Sequence, residues 1–205
     1  MARHRTGTEA REARQAHLKQ HAAETDPAVV MNAAARFLEL RSRSVHEVTR
    51  NLTMSGFPAE LVEDAVTRLL ELGLLDDTAY ARAWVESRDR SRPRGESALR
   101  RELSLKGIER ETIAAVLAER GEAAQAAAED RDDDGSARSF AGSRGADETA
   151  AERLLTKSRA ALLRIEDPRT RRGRAYALLA RNGFDPEVCR EVSARVAGLD
   201  EGGDD

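Results

Sequence analysis

The stretch RRELSLKGIERETIAAVLAER, residues 100–120, decides the fold, because its pattern occurs three times in the chain. In each copy an amphipathic helix is followed by a glycine, a bulky apolar residue and a second amphipathic helix. A leucine lies four positions before each glycine; the pairs are Leu52 with Gly56, Leu103 with Gly107, and Leu179 with Gly183. Function must therefore be inferred from a repeated helical unit.

The repeat glycines predict helix ends. A helix commonly ends in a residue with a left-handed conformation, which glycine adopts without steric cost, and the next apolar residue folds back on the last turn. A further amphipathic helix precedes each copy, so one repeat contains three helices. We predict an all-α fold, an elongated, solenoid-like tandem array of three three-helix repeats that stack on their neighbours.

Changes in composition set the predicted boundaries along the chain. Alanine, aspartate, glycine and serine dominate one segment that cannot form a core, and both chain ends are polar. The predicted segments are a disordered N-terminal tail at 1–26, repeat 1 at 27–75, repeat 2 at 76–120, a flexible acidic and small-residue linker at 121–149 whose residues 122–129 can extend the preceding helix, repeat 3 at 150–197, and an acidic C-terminal tail at 198–205.

Composition also restricts the class of protein. Cys189 is the only cysteine, so the chain has no internal disulfide, and we interpret Cys189 as a small core residue. The N-terminus lacks the apolar segment of a signal peptide, and no apolar run is long enough for a membrane span. We therefore expect a cytoplasmic monomer that does not bind membranes.

Charge is segregated along the repeats, although the net charge is only −3. Arginine and lysine collect on the first and second helices and at their junctions, and we expect the basic second-helix faces to bind a partner or DNA. The residues assigned to these faces are Arg41, Arg43, Arg50, Arg94, Arg100, Arg101, Lys106, Lys157, Arg171, Arg172, Arg174 and Arg181. For any single one of them, a solvated helix face with intrahelical ion pairs is the more economical interpretation.

Two other function classes are disfavoured. The third helix of repeat 1 carries Glu60, Glu63, Asp64 and Glu71, and DNA phosphates would repel such a helix in the major groove. The sequence contains no glycine-rich phosphate loop, no zinc-ligand motif and no histidine placed for catalysis, so it does not indicate an enzyme. We predict no catalytic residues, no metal site and no cofactor.

Three motifs resemble the RecX family of bacterial recombination regulators. They are FLELRSRS at 37–44 with Glu47 and Leu52, LDDTAYA at 75–81, and the segment from Gly95 through 101–103 to 106–108. The resemblance covers residues 28–120 well and 150–197 less closely, and it does not include the N-terminal tail or the insert before repeat 3.

The resemblance implies a regulatory protein that binds RecA and the RecA filament on single-stranded DNA. Such a protein inhibits RecA ATP hydrolysis and strand exchange and limits filament growth, in the control of recombination, DNA repair and the SOS response. Weak direct DNA binding is compatible with this role. The alternative is a helical repeat protein that binds nucleic acid through its basic second helices without RecA; because aromatic residues are few, such binding would be mainly electrostatic.

Overall fold

The structure, a computed structural model, describes residues 7–129 and 143–197, and this part of the chain is helical, with ten helices and no strands. The helices are α1 (Gly7–Ala22), α2 (Pro27–Glu39), α3 (Val45–Met54), α4 (Ala59–Glu71), α5 (Asp77–Ser91), α6 (Glu96–Leu105), α7 (Arg110–Glu129), α8 (Ser143–Leu163), α9 (Pro168–Arg181) and α10 (Pro186–Ala197). The three repeats correspond to α2–α4, α5–α7 and α8–α10. The predicted all-α fold of three-helix repeats is confirmed.

Capping side chains explain where several helices begin. Asp26 accepts a hydrogen bond from the Ala28 N–H at 2.8 Å, and Asp167 accepts one from the Thr170 N–H at 2.9 Å. Each aspartate precedes a proline, which is tolerated in the first helical turn. At α3, Ser44 and Glu47 form a capping box, as their spacing predicts.

The repeat glycines end the second helices in a left-handed conformation. Their φ angles are 93° at Gly56, 78° at Gly107 and 81° at Gly183, in agreement with the predicted helix ends. The Phe57 N–H then donates to the Leu52 carbonyl at 3.4 Å, so the chain folds back on the last turn of α3. All the repeat leucines and the apolar residues after the glycines are buried: Leu52, Leu103, Leu179, Phe57, Ile108 and Phe184.

The chain divides into two compact units that do not coincide with the repeats. Unit 1 is Met1–Tyr80 with Lys106–Ile108, and unit 2 is Ala81–Leu105 with Glu109–Asp205. The core of unit 1 consists of apolar residues from α2, α3 and α4 together with Phe57 and Leu75. In unit 2, a buried cluster joins α8, α9 and α10, and Cys189 lies within it at 0% exposure. The predicted core position of Cys189 is confirmed.

The N-terminal segment differs from the predicted tail. Gly7–Ala22 forms α1, and its Leu18 lies against the Gly56 turn within unit 1. The His21 ring stacks on Phe57 with ring centroids 4.0 Å apart, and its Nδ1 lies 2.8 Å from the Ser55 carbonyl oxygen. The prediction of a disordered tail is wrong over this helix, which packs within unit 1 through contacts of Leu18 and His21 although it has no continuous apolar stripe. Residues 1–6 lie outside the described part.

The predicted linker at 121–149 is wrong at its C-terminal end, whereas the predicted extension of the preceding helix over 122–129 is confirmed. Helix α7 continues to Glu129, as the alanine-rich composition allowed, and α8 begins at Ser143, seven residues before the predicted start of repeat 3. Ala146 and Asp147 are each 5% exposed, so the start of α8 belongs to the packed part of unit 2. The centre of the linker, 130–142, and the predicted acidic tail, 198–205, lie outside the described residues.

Candidate partner-binding surface

Six of the predicted basic residues are exposed on second helices, and one of them, Arg100, pairs with Glu96. The other five have no ion pair with another described residue, so their charge is available to an outside partner. They are Arg50 on α3, Arg101 on α6, and Arg172, Arg174 and Arg181 on α9.

On α9 the exposed arginines flank the buried side of the helix. Ala175 and Leu179 are both 0% exposed and face the core of unit 2. Arg174 and Arg181 are seven residues apart, which is about two turns, so they lie on one side of the helix. Arg172 lies on the opposite flank. Helix α9 thus presents cations on both sides of its buried stripe.

Other predicted basic residues are paired with polar or acidic side chains of the same chain. Arg100 donates to Glu96 at 2.7 Å, one turn away on α6. Arg94 contacts the Glu102 carboxylate at 3.5 Å and donates to the Asn182 side chain. The interpretation as solvated intrahelical pairs is therefore correct for Arg100, whose i,i+4 spacing from Glu96 was a readable signal. The contact between Arg94 and Glu102 could not be predicted from sequence spacing, because it depends on tertiary packing.

Lys106 takes part in a polar cluster of unit 1 centred on Glu47. Its Nζ donates to the Glu47 carboxylate at 2.7 Å, and Arg41 lies 3.8 Å from the same carboxylate. Burial raises the pKa of Glu47, but the hydrogen bonds from Lys106 and the Ser44 N–H, with the charges of Lys106 and Arg41, lower the pKa overall. The Tyr80 hydroxyl donates to Glu47 at 3.3 Å, and burial together with the Glu47 charge raises the pKa of Tyr80 to about 12.

Arg171 was wrongly assigned to the surface. It is 4% exposed, and its guanidinium donates to the carbonyl of Ile165 at 3.0 Å and to that of Glu166 at 3.3 Å. These carbonyls follow the end of α8, so Arg171 satisfies backbone acceptors after a helix. The sequence did not show this role, because Arg171 lies in an arginine-rich run whose members look alike.

Several assigned residues do not lie on second helices. Lys157 is on α8, the first helix of repeat 3, and its Nζ donates to the Arg90 and Ser91 carbonyls at the end of α5, both at 2.9 Å. Arg41, Arg43, Arg94 and Lys106 lie in the connections before or after second helices. The Arg43 guanidinium lies 4.1 Å from the centroid of the Phe37 ring, a cation–π contact.

A buried charge network in unit 2 was not anticipated. Arg120 on α7 donates to Asp147 on α8 at 2.7 Å and to Asp89 on α5 at 2.8 Å and 2.9 Å. Asp147 also accepts the Glu96 N–H at 2.9 Å and so caps α6. This network positions α6, which carries Arg101. The Arg120 guanidinium on α7 thus binds carboxylates on α5 and α8, and one of these carboxylates also caps α6.

One cleft of unit 2 is lined by charged side chains. This cleft of about 450 Å³ lies between α5, α7 and α8, and two ion pairs line it, Arg82 with Glu119 and Arg120 with Asp89. Within residues 7–129 and 143–197, no cluster of three or more His, Cys, Asp or Glu side chains could hold a metal ion. Four of the charged side chains of the cleft are therefore paired with one another.

Comparison with known proteins identifies the family. Residues 31–69 match the model of the first three-helix domain of RecX, and residues 76–117 match that of the second. The chain is 33% identical over 164 residues to the Regulatory protein RecX of Mycobacterium ulcerans, which covers 79% of this chain and 82% of that relative. The chain belongs to the RecX family. The resemblance carried by the sequence motifs is confirmed, and it supports a regulatory role.

Further RecX relatives match shorter segments. The Mycolicibacterium smegmatis protein is 37% identical over 94 residues, which is 46% of this chain and 50% of that relative. This alignment thus spans about half of its length. The Prosthecochloris aestuarii protein is 36% identical over 102 residues, covering 50% of this chain and 68% of the relative.

Solved RecX structures share the fold. The crystal structure of RecX from Lactobacillus salivarius aligns with a TM-score of 0.64 at 16% identity, covering 83% of this chain and 96% of that chain. A second regulatory protein RecX aligns with a TM-score of 0.61 at 18% identity, covering 94% of this chain and 80% of the other. Among the described helices of this RecX-family chain, none is long and apolar enough to cross a bilayer.

Proposed function

We propose that this RecX-family chain binds RecA and the RecA filament on single-stranded DNA, inhibits RecA ATP hydrolysis and strand exchange, and limits filament growth. In this role it controls recombination and DNA repair, including the SOS response. It acts as a cytoplasmic monomer and needs no catalytic residue of its own.

The observation that carries the proposal is the set of exposed second-helix arginines without an internal partner. Arg50, Arg101 and Arg174 are exposed, whereas Arg94 and Arg100, which lie close to Arg101 in the sequence, are paired within the protein. Unpaired guanidinium groups suit acidic protein side chains and DNA phosphates, both of which a nucleoprotein filament presents. Family membership supports the choice of RecA as the partner.

RecA ATP hydrolysis on single-stranded DNA tests the inhibitory activity. The chain is expected to slow hydrolysis when present at well below one molecule per RecA, because an agent that limits filament growth affects many subunits at once. An inhibition that appears only near equal amounts, or not at all, contradicts the proposal.

The second candidate, direct DNA binding without RecA, is favoured by the same arginines. The two are separated on RecA filaments formed on immobilised single-stranded DNA with a non-hydrolysable ATP analogue, so that RecA cannot redistribute. Soluble single-stranded DNA is then added in excess with the chain. Binding to the filament that persists supports RecA recognition, and binding that the competitor abolishes supports the second candidate.

A further inference from the structure

The second helices of repeats 1 and 2 share a surface feature that the core register does not explain. Two positions before the repeat glycine, α3 has Met54 and α6 has Leu105, and these side chains are 57% and 78% exposed. Six positions before the glycine, the same helices have Arg50 and Arg101, both exposed. The arginine and the apolar residue are four residues apart, so they are neighbours on one face.

This face lies opposite the buried side of each helix. Residues two apart are separated by about 200° around a helix axis, so the positions at −6 and −2 both point away from the leucine at −4. That leucine, Leu52 in α3 and Leu103 in α6, is at most 1% exposed. Neither Met54 nor Leu105 therefore takes part in the packing of its own helix.

The arginines of the two pairs are free of carboxylates. Neither Arg50 nor Arg101 has an ion pair among the described residues, although Arg100, next to Arg101, is held by Glu96 at 2.7 Å. Repeat 3 lacks the feature, because Ala177 and Arg181 occupy the two positions in α9. The pair of a cation and an exposed large apolar side chain is thus specific to α3 and α6.

A single exposed leucine is ordinary, but the recurrence of the same pair at equivalent repeat positions is not explained by the fold. A nucleic acid would engage the arginine through a phosphate and gain little from an adjacent aliphatic side chain, because stacking on bases requires aromatic or planar groups. A protein surface with a carboxylate beside an apolar pocket matches both members of the pair. Since the chain carries the pair twice, it fits a partner that presents this site in more than one copy.

We propose that the Arg50–Met54 and Arg101–Leu105 pairs are equivalent contact points for identical protein subunits of one polymer, each subunit offering an acidic side chain next to an apolar pocket. This inference rests on the proposed function, in which the polymer is the RecA filament. It assigns the contact to the protein subunits and not to the DNA, and it specifies which residues of α3 and α6 make it.

The test compares binding of full-length variants to RecA filaments, locked on immobilised single-stranded DNA by a non-hydrolysable ATP analogue, with binding to naked single-stranded DNA. The double variant Met54→Ser/Leu105→Ser is expected to bind the filament about tenfold or more weakly, as expected for the loss of buried apolar contacts, while binding to naked DNA is unchanged. Leu40→Ser is the matched control, because Leu40 is 79% exposed but lies after α2, outside this face. Circular dichroism confirms that each variant is folded.

Salt dependence provides a second readout. Arg50→Ala/Arg101→Ala should reduce the salt dependence of filament binding, whereas Met54→Ser/Leu105→Ser should weaken binding equally at all salt concentrations. If the parent chain binds the filament and Met54→Ser/Leu105→Ser binds as tightly as Leu40→Ser, the inference is overturned and the proposed function stands. If the apolar double variant loses binding to filament and naked DNA alike, the contact is not with the protein subunits. If the parent chain does not bind the filament, the proposed function and the inference both fail.

Discussion

The guanidinium of Arg120 donates to the carboxylate of Asp147 at 2.7 Å, and the two side chains are only 8% and 7% exposed. A buried ion pair contributes little net stability when intact, but loss of one member leaves a charge without compensation. Arg120 also binds Asp89, and Asp147 also caps α6. The pair therefore links the second and third repeats of this chain within unit 2.

Arg120→Met is expected to lower the free energy of unfolding by about 3–5 kcal/mol, because it leaves the buried Asp147 carboxylate and the partly buried Asp89 carboxylate without their cation. Urea denaturation measures the loss. Arg82→Met is the matched control: its pair with Glu119 is about half exposed, so water screens it and its loss should change stability much less. Equal losses in the two variants would show that the Arg120 network does not stabilise the fold.

Leu103→Ala is expected to destabilise the protein by about 2–5 kcal/mol, because Leu103 is 0% exposed and its truncation leaves a cavity. Leu105→Ala, two residues further on the same helix, is the control, and it should change stability by less than about 0.5 kcal/mol because Leu105 is 78% exposed. Thermal and urea unfolding of both variants provide the comparison. A parent-like melting curve for Leu103→Ala contradicts the assigned core register.

Gly107→Ala is expected to be more destabilising than Gly73→Ala. Both glycines have positive φ, 78° and 65°, so alanine costs about 1–2 kcal/mol at either site. A Cβ at Gly107 would also lie 2.3 Å from the His46 Cβ, whereas nothing lies within 4 Å of a Cβ at Gly73. The difference between the unfolding free energies of the two variants measures the steric cost of a Cβ at Gly107. Equal values would contradict the predicted clash with His46.

Glu47 should make stability depend on pH in the acid range. Its pKa is lowered below the ordinary 4.5 in the folded state, so its contribution is complete above pH 4.5 and is lost as the pH falls through the folded value. Glu47→Gln should therefore be less stable than the parent at pH 7, and the difference should shrink in acid, where the parent is also neutral at this site. Glu60→Gln, at an exposed position of α4, is the control and should change stability at pH 7 by less than about 0.5 kcal/mol. A difference between Glu47→Gln and the parent that does not change with pH would contradict the assignment.

Arg172→Glu/Arg174→Glu should weaken inhibition of RecA ATP hydrolysis without unfolding α9, because both side chains are exposed and have no ion pair in the described residues. Arg110→Glu is the control, since Arg110 is exposed on α7, a third helix. The concentration that gives half-maximal inhibition is measured for each variant. Retained inhibition in the double variant would remove α9 from the binding surface.

The sequence predicted the fold well where local periodicity determines structure. The spacing of Leu52 and Gly56, repeated in the other copies, predicted which helix faces are buried and where the second helices end. Helix periodicity and glycine conformation are local properties, so one sequence suffices to infer them.

The parts that sequence analysis missed depend on contacts between distant residues. Asp147 was interpreted as part of an acidic linker, although it is paired with Arg120, 27 residues away. Arg171 looked like its neighbours Arg172 and Arg174, but it binds backbone carbonyls and is buried. Charge alone does not show whether an arginine serves packing or binding, because that depends on which groups the fold brings next to it.

The turn Lys106–Ile108 belongs to unit 1 although it lies in repeat 2 of the sequence. Its Lys106 carbonyl accepts the Ser44 hydroxyl at 2.6 Å, and its Lys106 ammonium binds Glu47. A polypeptide cut after the first repeat would lose both contacts, and water would have to replace the lost partners of the Ser44 hydroxyl and the Glu47 carboxylate. Unit 1 is therefore incomplete without a short piece of repeat 2, and a truncation at the boundary between the two repeats would remove contacts from repeat 1.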